Sequence, residues 1–422
     1  MHKDNDIAEQ PMATATELDK NKEAEAVELN SEYQSAQERS TNMLNEDNTQ
    51  EAEVLIADTE SADSAAIIQK SPSKFRRFLN KLNAFKSAIQ KRPWLVLVIL
   101  SAILLLLLAL YLFYGMMGDV SSYRETGDEF YLDLIGFSLR QRYPTILAIV
   151  VVSICVGYST VVFQTVTGAR ILTPGVLGFE NVYMFLQTLL VLLFTGGGAV
   201  YILEGTGNYI LSVVLMVGMS LLIFLPLLTK GAKGVFVLLL LGIILSTLFA
   251  SLTSYIMLLI DPNEFDIIQG RMFASFTNPN MQVMLGAVIL GAVALCATPS
   301  AKKLDVLSLG RENAIGLGVN YKFVVLRVLI IVSVLVAVST VLVGPIMFLG
   351  LIAANLAYQI IKTFRHKYTI PTAILVAGIF LALGQFLIYH VITVQIQLPV
   401  VINLVGGVYF IFLLLRDRKK GK

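Results

Sequence analysis

Apolar residues fill ten successive stretches from Pro93 to the C-terminus, and polar residues gather in the short connections between them. A helix needs about 20 apolar residues to cross the roughly 30 Å hydrocarbon core of a bilayer. The stretches 93–115, 144–166, 174–195, 208–228, 235–260, 281–298, 323–343, 345–361, 370–392 and 400–415 meet or approach that length. They predict an all-α, polytopic membrane protein with about ten transmembrane helices. The first apolar run begins too far into the chain, and is too long, for a cleaved signal peptide, so it reads as a retained first span.

The N-terminal part is a different material. Residues 1–70 are rich in Glu, Ala, Gln, Asn, Ser and Thr and poor in aromatics, which predicts a disordered acidic extension. Over 71–92 the sign reverses: seven bases and no acid accompany Phe75, Phe78, Leu82, Phe85 and Ile89 at helical spacing. That pattern predicts a basic amphipathic juxtamembrane helix on anionic lipid rather than a nucleic-acid-binding patch. The membrane domain then runs over 93–416, and 417–422 form a basic tail.

Charge orients the spans. Bases before the first span, Arg170, Lys230, Lys233, Lys302, Lys303, Arg311, Lys322, Lys362, Arg365, Lys367 and the tail fall on one side. The opposite loops hold only Arg124, Arg140, Arg142 and Arg271, among acids such as Asp119, Glu125, Asp128, Glu129, Asp261, Glu264 and Asp266. The positive-inside rule puts both termini in the cytoplasm. The formal net charge of +2 hides this asymmetry, whereas 56% hydrophobic and 15% charged residues agree with a membrane protein. Cys155 and Cys296 fall inside predicted spans and read as small apolar residues.

The outer loops are too small to form a capture domain, so high-affinity binding outside needs a separate partner. Inside, 299–321 reads as two short helices joined at Gly310, a compact knob suited to docking a cytoplasmic partner. Leu307, Leu309 and Ala314 are expected to pack into a groove on that partner. Gln164, Thr165, Thr167 and Thr173 sit near the inner end of spans two and three, where Gly168, Pro174 and Gly175 break the helix. Broken backbone at membrane depth needs cover by protein or a water-filled cavity, which fits either a translocation path or inner gate, or a plain inter-helix turn. Glu180 is the one acid well within a predicted span, a candidate for the same gate or for a structural hydrogen bond. Gly344, Pro345 and Gly350 read as a tight outer turn. His366, among Lys362, Arg365 and Lys367, reads as a surface residue.

Chemistry is otherwise sparse. Three histidines and two cysteines show no metal-ligand spacing, and no HExxH, GxSxG or paired intramembrane aspartates suggest catalysis. No cofactor site is expected. The chain contains no G-x-x-x-x-G-K-[ST] motif, so ATP hydrolysis would require another subunit.

The pattern LxLGxxxAxxLG, carried by Leu307, Leu309, Gly310, Ala314, Leu317 and Gly318, resembles the coupling region of the iron-chelate and cobalamin uptake permeases, the FecCD-like family. VGPIMFLGLIAANLA (Val343 to Ala357), His366 through Pro371, QLPVVINLVGGVYFIFLLLR (Gln397 to Arg416) and FQTVTGARILTPGVLGFENVYMFLQT (Phe163 to Thr188) resemble further family elements in the same order. The last is most similar to the subgroup for petrobactin, anguibactin and related catecholate siderophores. The resemblance implies the cobalamin-importer-permease-like fold of type II ABC importers and a permease subunit that carries a ferric siderophore through a bacterial cytoplasmic membrane. It implies ATP-binding subunits, a second homologous permease in a homodimer or heterodimer, and an extracytoplasmic substrate-binding lipoprotein. ATPase coupling would fall to Leu307, Leu309, Gly310, Ala314, Leu317 and Gly318, and the path or gate to Gln164, Thr167, Gly168, Thr173, Pro174 and Glu180. Binding-protein docking would fall to Arg140, Arg142 and Arg271. The chain departs from the family at Arg142-Tyr143-Pro144-Thr145, where a second arginine is absent, and at Gln385, Tyr389 and His390. The alternatives are an ion-coupled secondary transporter, or a permease of the same family for heme or cobalamin.

Overall fold

The structure, a computed structural model, describes residues 92–114, 117–126, 129–175, 177–193, 206–229, 235–260, 276, 281–361, 363–390 and 398–420. The extension expected over 1–70 and the amphipathic helix expected over 71–92 lie outside them, save Arg92.

Among the described residues there are thirteen helices and no strand. They are α1 (Pro93–Tyr114), α2 (Met117–Thr126), α3 (Glu129–Thr167), α4 (Phe179–Leu193), α5 (Thr206–Thr229), α6 (Val235–Met257) and α7 (Met281–Cys296). Then come α8 (Ala301–Leu307), α9 (Arg311–Gly316), α10 (Tyr321–Val343), α11 (Leu349–Ile360), α12 (His366–His390) and α13 (Leu398–Lys420). Each of the ten apolar stretches carries one helix. Among the described residues, however, five helices are by themselves long and apolar enough to cross a membrane: α1, α3, α6, α10 and α12. A sixth counts if α7 and α8, bent by 67° at their break, are one span; α4, α5, α11 and α13 contribute shorter apolar helices.

α3 and α10 form the centre. Both are apolar around most of their circumference, as a helix sealed on all sides must be, and α10 buries an almost continuous run from Ile331 to Thr340. α1 lies at the edge and buries only Val96 and Tyr111. Lipid tails are as apolar as leucine, so helices here associate through close packing rather than by escaping water. The backbones of α3 and α12 approach closely: a Cβ on Gly157 would stand 2.7 Å from the Cα of Ile374. About one turn away along α12, a Cβ on Gly378 would stand 3.0 Å from Leu104 of α1 and 3.2 Å from the Ser153 hydroxyl of α3. Glycine at these places lets backbones meet.

α3 departs from the sequence reading. It begins at Glu129, so Pro144 lies inside it, and the connection between the apolar stretches 93–115 and 144–166 is mostly helical. Phe130, Leu132, Leu134, Ile135 and Leu139 give the polar segment enough apolar and helix-forming residues to continue. Pro144 removes one amide donor, facing the carbonyl of Arg140, without ending the helix.

Two pairs of helices are separated by irregular backbone: 168–175 and 177–178 lie between α3 and α4, and 344–348 between α10 and α11.

Candidate functional site

The two breaks meet. Gly168, Gly178 and Gly344 have φ of 69°, 93° and 87°, a left-handed backbone that side chains with a Cβ rarely adopt. Gly175 packs against the second break so closely that a Cβ would stand 2.9 Å from the Met347 carbonyl oxygen and 3.1 Å from Glu180 Oε1. Gly350 makes a similar approach to the Thr160 side chain of α3. Across the junction, the buried Glu180 carboxylate faces the backbone N–H of Ile346. Next to it, the Asn181 amide donates to the Ser246 hydroxyl and ties the start of α4 to α6. Glu180 therefore stands where the two breaks meet, beside Gly175 and among the polar groups that line the space between them.

Ser159, Thr160, Thr173, Glu180, Ser339 and Thr340 line a cavity of about 30 Å³ between the breaks. A water needs at least about 10–15 Å³ of such space and two or more polar partners, so the cavity suits one or two waters and excludes a chelate. Its depth follows from helix lengths. The 12 residues of α11 rise about 18 Å, little more than half of the ~30 Å hydrocarbon core, so its two ends cannot both lie at membrane surfaces. Ile361 adjoins the polar loop 363–365, which places 344–348 within the hydrocarbon thickness rather than at the expected outer turn.

The path residues fall into two groups. Thr173, Pro174 and Glu180 line the cavity. Gln164, Thr167 and Gly168 instead close the end of α3 on itself: Gln164 Nε2 donates to the Arg170 carbonyl at 2.6 Å, and the Thr167 hydroxyl donates to the Phe163 carbonyl at 3.0 Å. The Gln164 Oε1 has no partner although it is buried.

His366 is buried, not on the surface, with 5% of its area exposed. Asp305 of α8 accepts from its backbone N–H at 2.8 Å and from Nδ1 at 2.7 Å. A carboxylate can only accept, so the proton belongs on Nδ1 and the ring orientation is fixed. Nε2 then lies 2.7 Å from the Thr165 hydroxyl oxygen near the end of α3. The sequence reading missed Asp305 altogether; the only signal for His366 was its place in the HxxxxP element.

The knob has the expected build. α8 and α9 are joined at Gly310, with φ 91°, and closed by Gly318, with φ 79°. Its apolar residues divide differently from the expectation. Leu304, Leu307 and Ala314 are buried and hold the knob to the rest of the chain, whereas Leu309, Ile315 and Leu317 are more than half exposed. The face free for a partner thus contains Leu309 and Leu317 with Ile315, and excludes Leu307 and Ala314.

On the opposite end, Arg142 is buried. Its Nη1 donates to the carbonyls of Tyr111 at 3.1 Å and Leu112 at 3.2 Å, and its guanidinium lies over the rings of Tyr111 and Tyr389 at 5.9 and 5.3 Å. A cation bonding the last carbonyls of α1 is well placed against the negative end of the helix dipole. Arg140 is exposed, and Arg271 lies outside the described residues.

Comparison with known proteins gives the same architecture. The solved chain of a metal-chelate type ABC transporter in an inward-facing conformation superposes with a TM-score of 0.57 at 22% identity, over 75% of this chain and 99% of that one. At that identity the likeness concerns the fold. The petrobactin import system permease protein YclO of Bacillus subtilis is 44% identical over 284 residues, 67% of this chain and 90% of the relative. The petrobactin import system permease protein FatC of Bacillus anthracis is 36% identical over 283 residues, 66% of this chain and 79% of the relative. Apolar helices in this number, together with permease relatives, make the chain a multi-pass membrane protein. The model of the FecCD transport family matches residues 96–416, and the chain belongs to that family.

Proposed function

We propose that the chain is a permease subunit of an ATP-binding-cassette importer that moves a ferric siderophore of the petrobactin class into the cytoplasm. The carrying observation is the α8–α9 knob, a rigid turned pair of helices that presents Leu309, Ile315 and Leu317 away from the body of the chain. Such an ordered apolar face on a membrane protein without a nucleotide-binding motif is suited to a separate ATPase. The siderophore class is carried over from the relatives named for petrobactin import. The chain would work with ATP-binding subunits, a second permease and an extracytoplasmic binding protein that meets Arg271 and the exposed Arg140. Both termini would be cytoplasmic and the ten apolar stretches would form the membrane domain of a bacterial cytoplasmic membrane protein. The breaks would act as the gate: Thr173, Pro174 and Glu180 at the cavity, Gln164, Thr167 and Gly168 at the inner end of α3.

The test is Gly310→Val. With φ at 91°, a β-branched residue strains the turn that sets α8 against α9. Uptake of iron-loaded petrobactin and co-purification of the ATPase should both fall while the membrane level is unchanged. Normal uptake and normal ATPase retention in this variant would overturn the assignment of the knob.

A further inference from the structure

We propose that His366 is a positioning residue that transmits displacement of α8 to the gate, through the chain Asp305–His366–Thr165. The inference rests on reading the knob as the ATPase-docking element. It goes beyond docking because it names the route by which movement there reaches the breaks.

Three separate elements converge on the one imidazole: α8 through Asp305, the first turn of α12 through the backbone of His366 itself, and the end of α3 through Thr165. The two bonds to Asp305 end on the same oxygen, so α8 holds both the backbone and the ring of one residue. The ring is buried, and its separate nitrogens face separate helices. Rotation about one bond therefore disturbs the other. Thr165 lies three residues before Gly168, where α3 gives way to the break that carries Thr173, Pro174 and Glu180. With the ring proton on Nδ1, Nε2 accepts the single Thr165 hydroxyl proton, and the Val161 carbonyl 2.8 Å away is the competing acceptor for it. Higher up, α3 and α12 are in backbone contact at Gly157 and Ile374, so a shift of the α12 terminus cannot dissipate by parting the two helices. The covalent alternative from Asp305 to the second break runs through α9 and the whole of α10.

Asp305 also caps α12 through the His366 N–H, and a purely structural role would end there. The two roles separate cleanly, because His366→Ala keeps the backbone donor and removes the ring. The permease, its ATPase, the second permease and the binding protein are purified together and reconstituted in proteoliposomes, and radio-iron-loaded petrobactin delivered per ATP hydrolysed is measured. Coupling free energies between sites correspond to about 5- to 150-fold, and His366→Ala and Thr165→Val should each lower the delivered ratio by a factor in that range. ATPase retention and thermal stability should stay near those of the wild type. The double variant Thr165→Val/His366→Ala should be no worse than His366→Ala, since both cut one chain.

An unchanged ratio in His366→Ala, additive losses in the double variant, or loss of the ATPase from the His366→Ala complex would each overturn the proposal. If His366→Ala does not insert, Thr165→Val decides alone: it removes one hydroxyl at constant shape, and an unchanged ratio overturns the proposal. A wild-type complex that retains no ATPase would sink the importer reading itself, and this inference with it.

Discussion

Gly157→Ala adds one methyl group where α3 and α12 have no room for it. The new Cβ would stand 2.7 Å from Ile374 Cα, 2.8 Å from Ile374 N and 3.0 Å from Ala373 C. All three are backbone atoms, so no side-chain rotation relieves the contact. Carbon pairs are most favourable at about 3.5–4.0 Å, and the helices must therefore part by about 1 Å. Overpacking of this kind costs about 1–3 kcal/mol, while alanine in place of glycine favours a helix by about 1 kcal/mol. Gly136 in the same helix is the control, because a Cβ there has no neighbour within 4 Å and only the favourable contribution applies. The separation between the two variants should thus be about 1–3 kcal/mol, with Gly157→Ala the less stable. Thermal unfolding in detergent can be followed by a thiol-reactive dye at the buried Cys155, in a background where the exposed Cys296 is serine. Parting α3 from α12 by about 1 Å would also stretch the 2.7 Å contact of Thr165 with His366 beyond hydrogen-bond range. Uptake should therefore fall with stability. A Gly157→Ala protein that melts at or above Gly136→Ala would refute the packing argument.

Arg142→Met strands two carbonyls at the end of α1, each at a cost of up to about 1–3 kcal/mol, and should lower the melting temperature; Arg140→Glu should leave melting unchanged but slow binding-protein association and alter its salt dependence. The reverse pattern would return docking to Arg142. Glu180→Gln keeps a polar group at the junction of the breaks and should stay close to wild type in melting, whereas Glu180→Ala removes it and should lower the melting temperature; equal damage by both would show that the charge itself is required. Reporter fusions after Gly205 and at Lys422 should report opposite sides of the membrane, and an external signal at Lys422 would overturn the proposed orientation.

The helices were legible because an apolar run long enough to cross lipid has few other fates, and each of the ten runs does hold a helix. The turn at Gly310 was legible for a similar reason, since glycine between two short apolar patterns marks a left-handed residue. What a linear pattern cannot convey is which side of an element faces its own chain. Leu307 and Leu309 look alike in sequence, yet one is sealed against the body and the other is free. Arg142 followed the same logic: an arginine in an outer loop reads as a surface charge until the end of α1 is seen to need a donor. The link of Asp305 to His366 spans 61 residues and that of His366 to Thr165 spans 201, distances at which no periodicity operates. The depth of the 344–348 break was misplaced because GPI reads as a surface turn, and only the shortness of α11 shows that it is not.

The small space between the breaks decides the geometry of transport. Sites that enclose small organic ligands occupy about 300–1,000 Å³, an order of magnitude above the cavity of about 30 Å³ found here. A ferric chelate that passes these breaks cannot thread them as a tunnel. In the proposed importer it would slide along them as along one bank of a channel, with the second permease as the other bank. On this reading a single copy of the chain has no pore to open, and conductance is a property that exists only in the assembled pair.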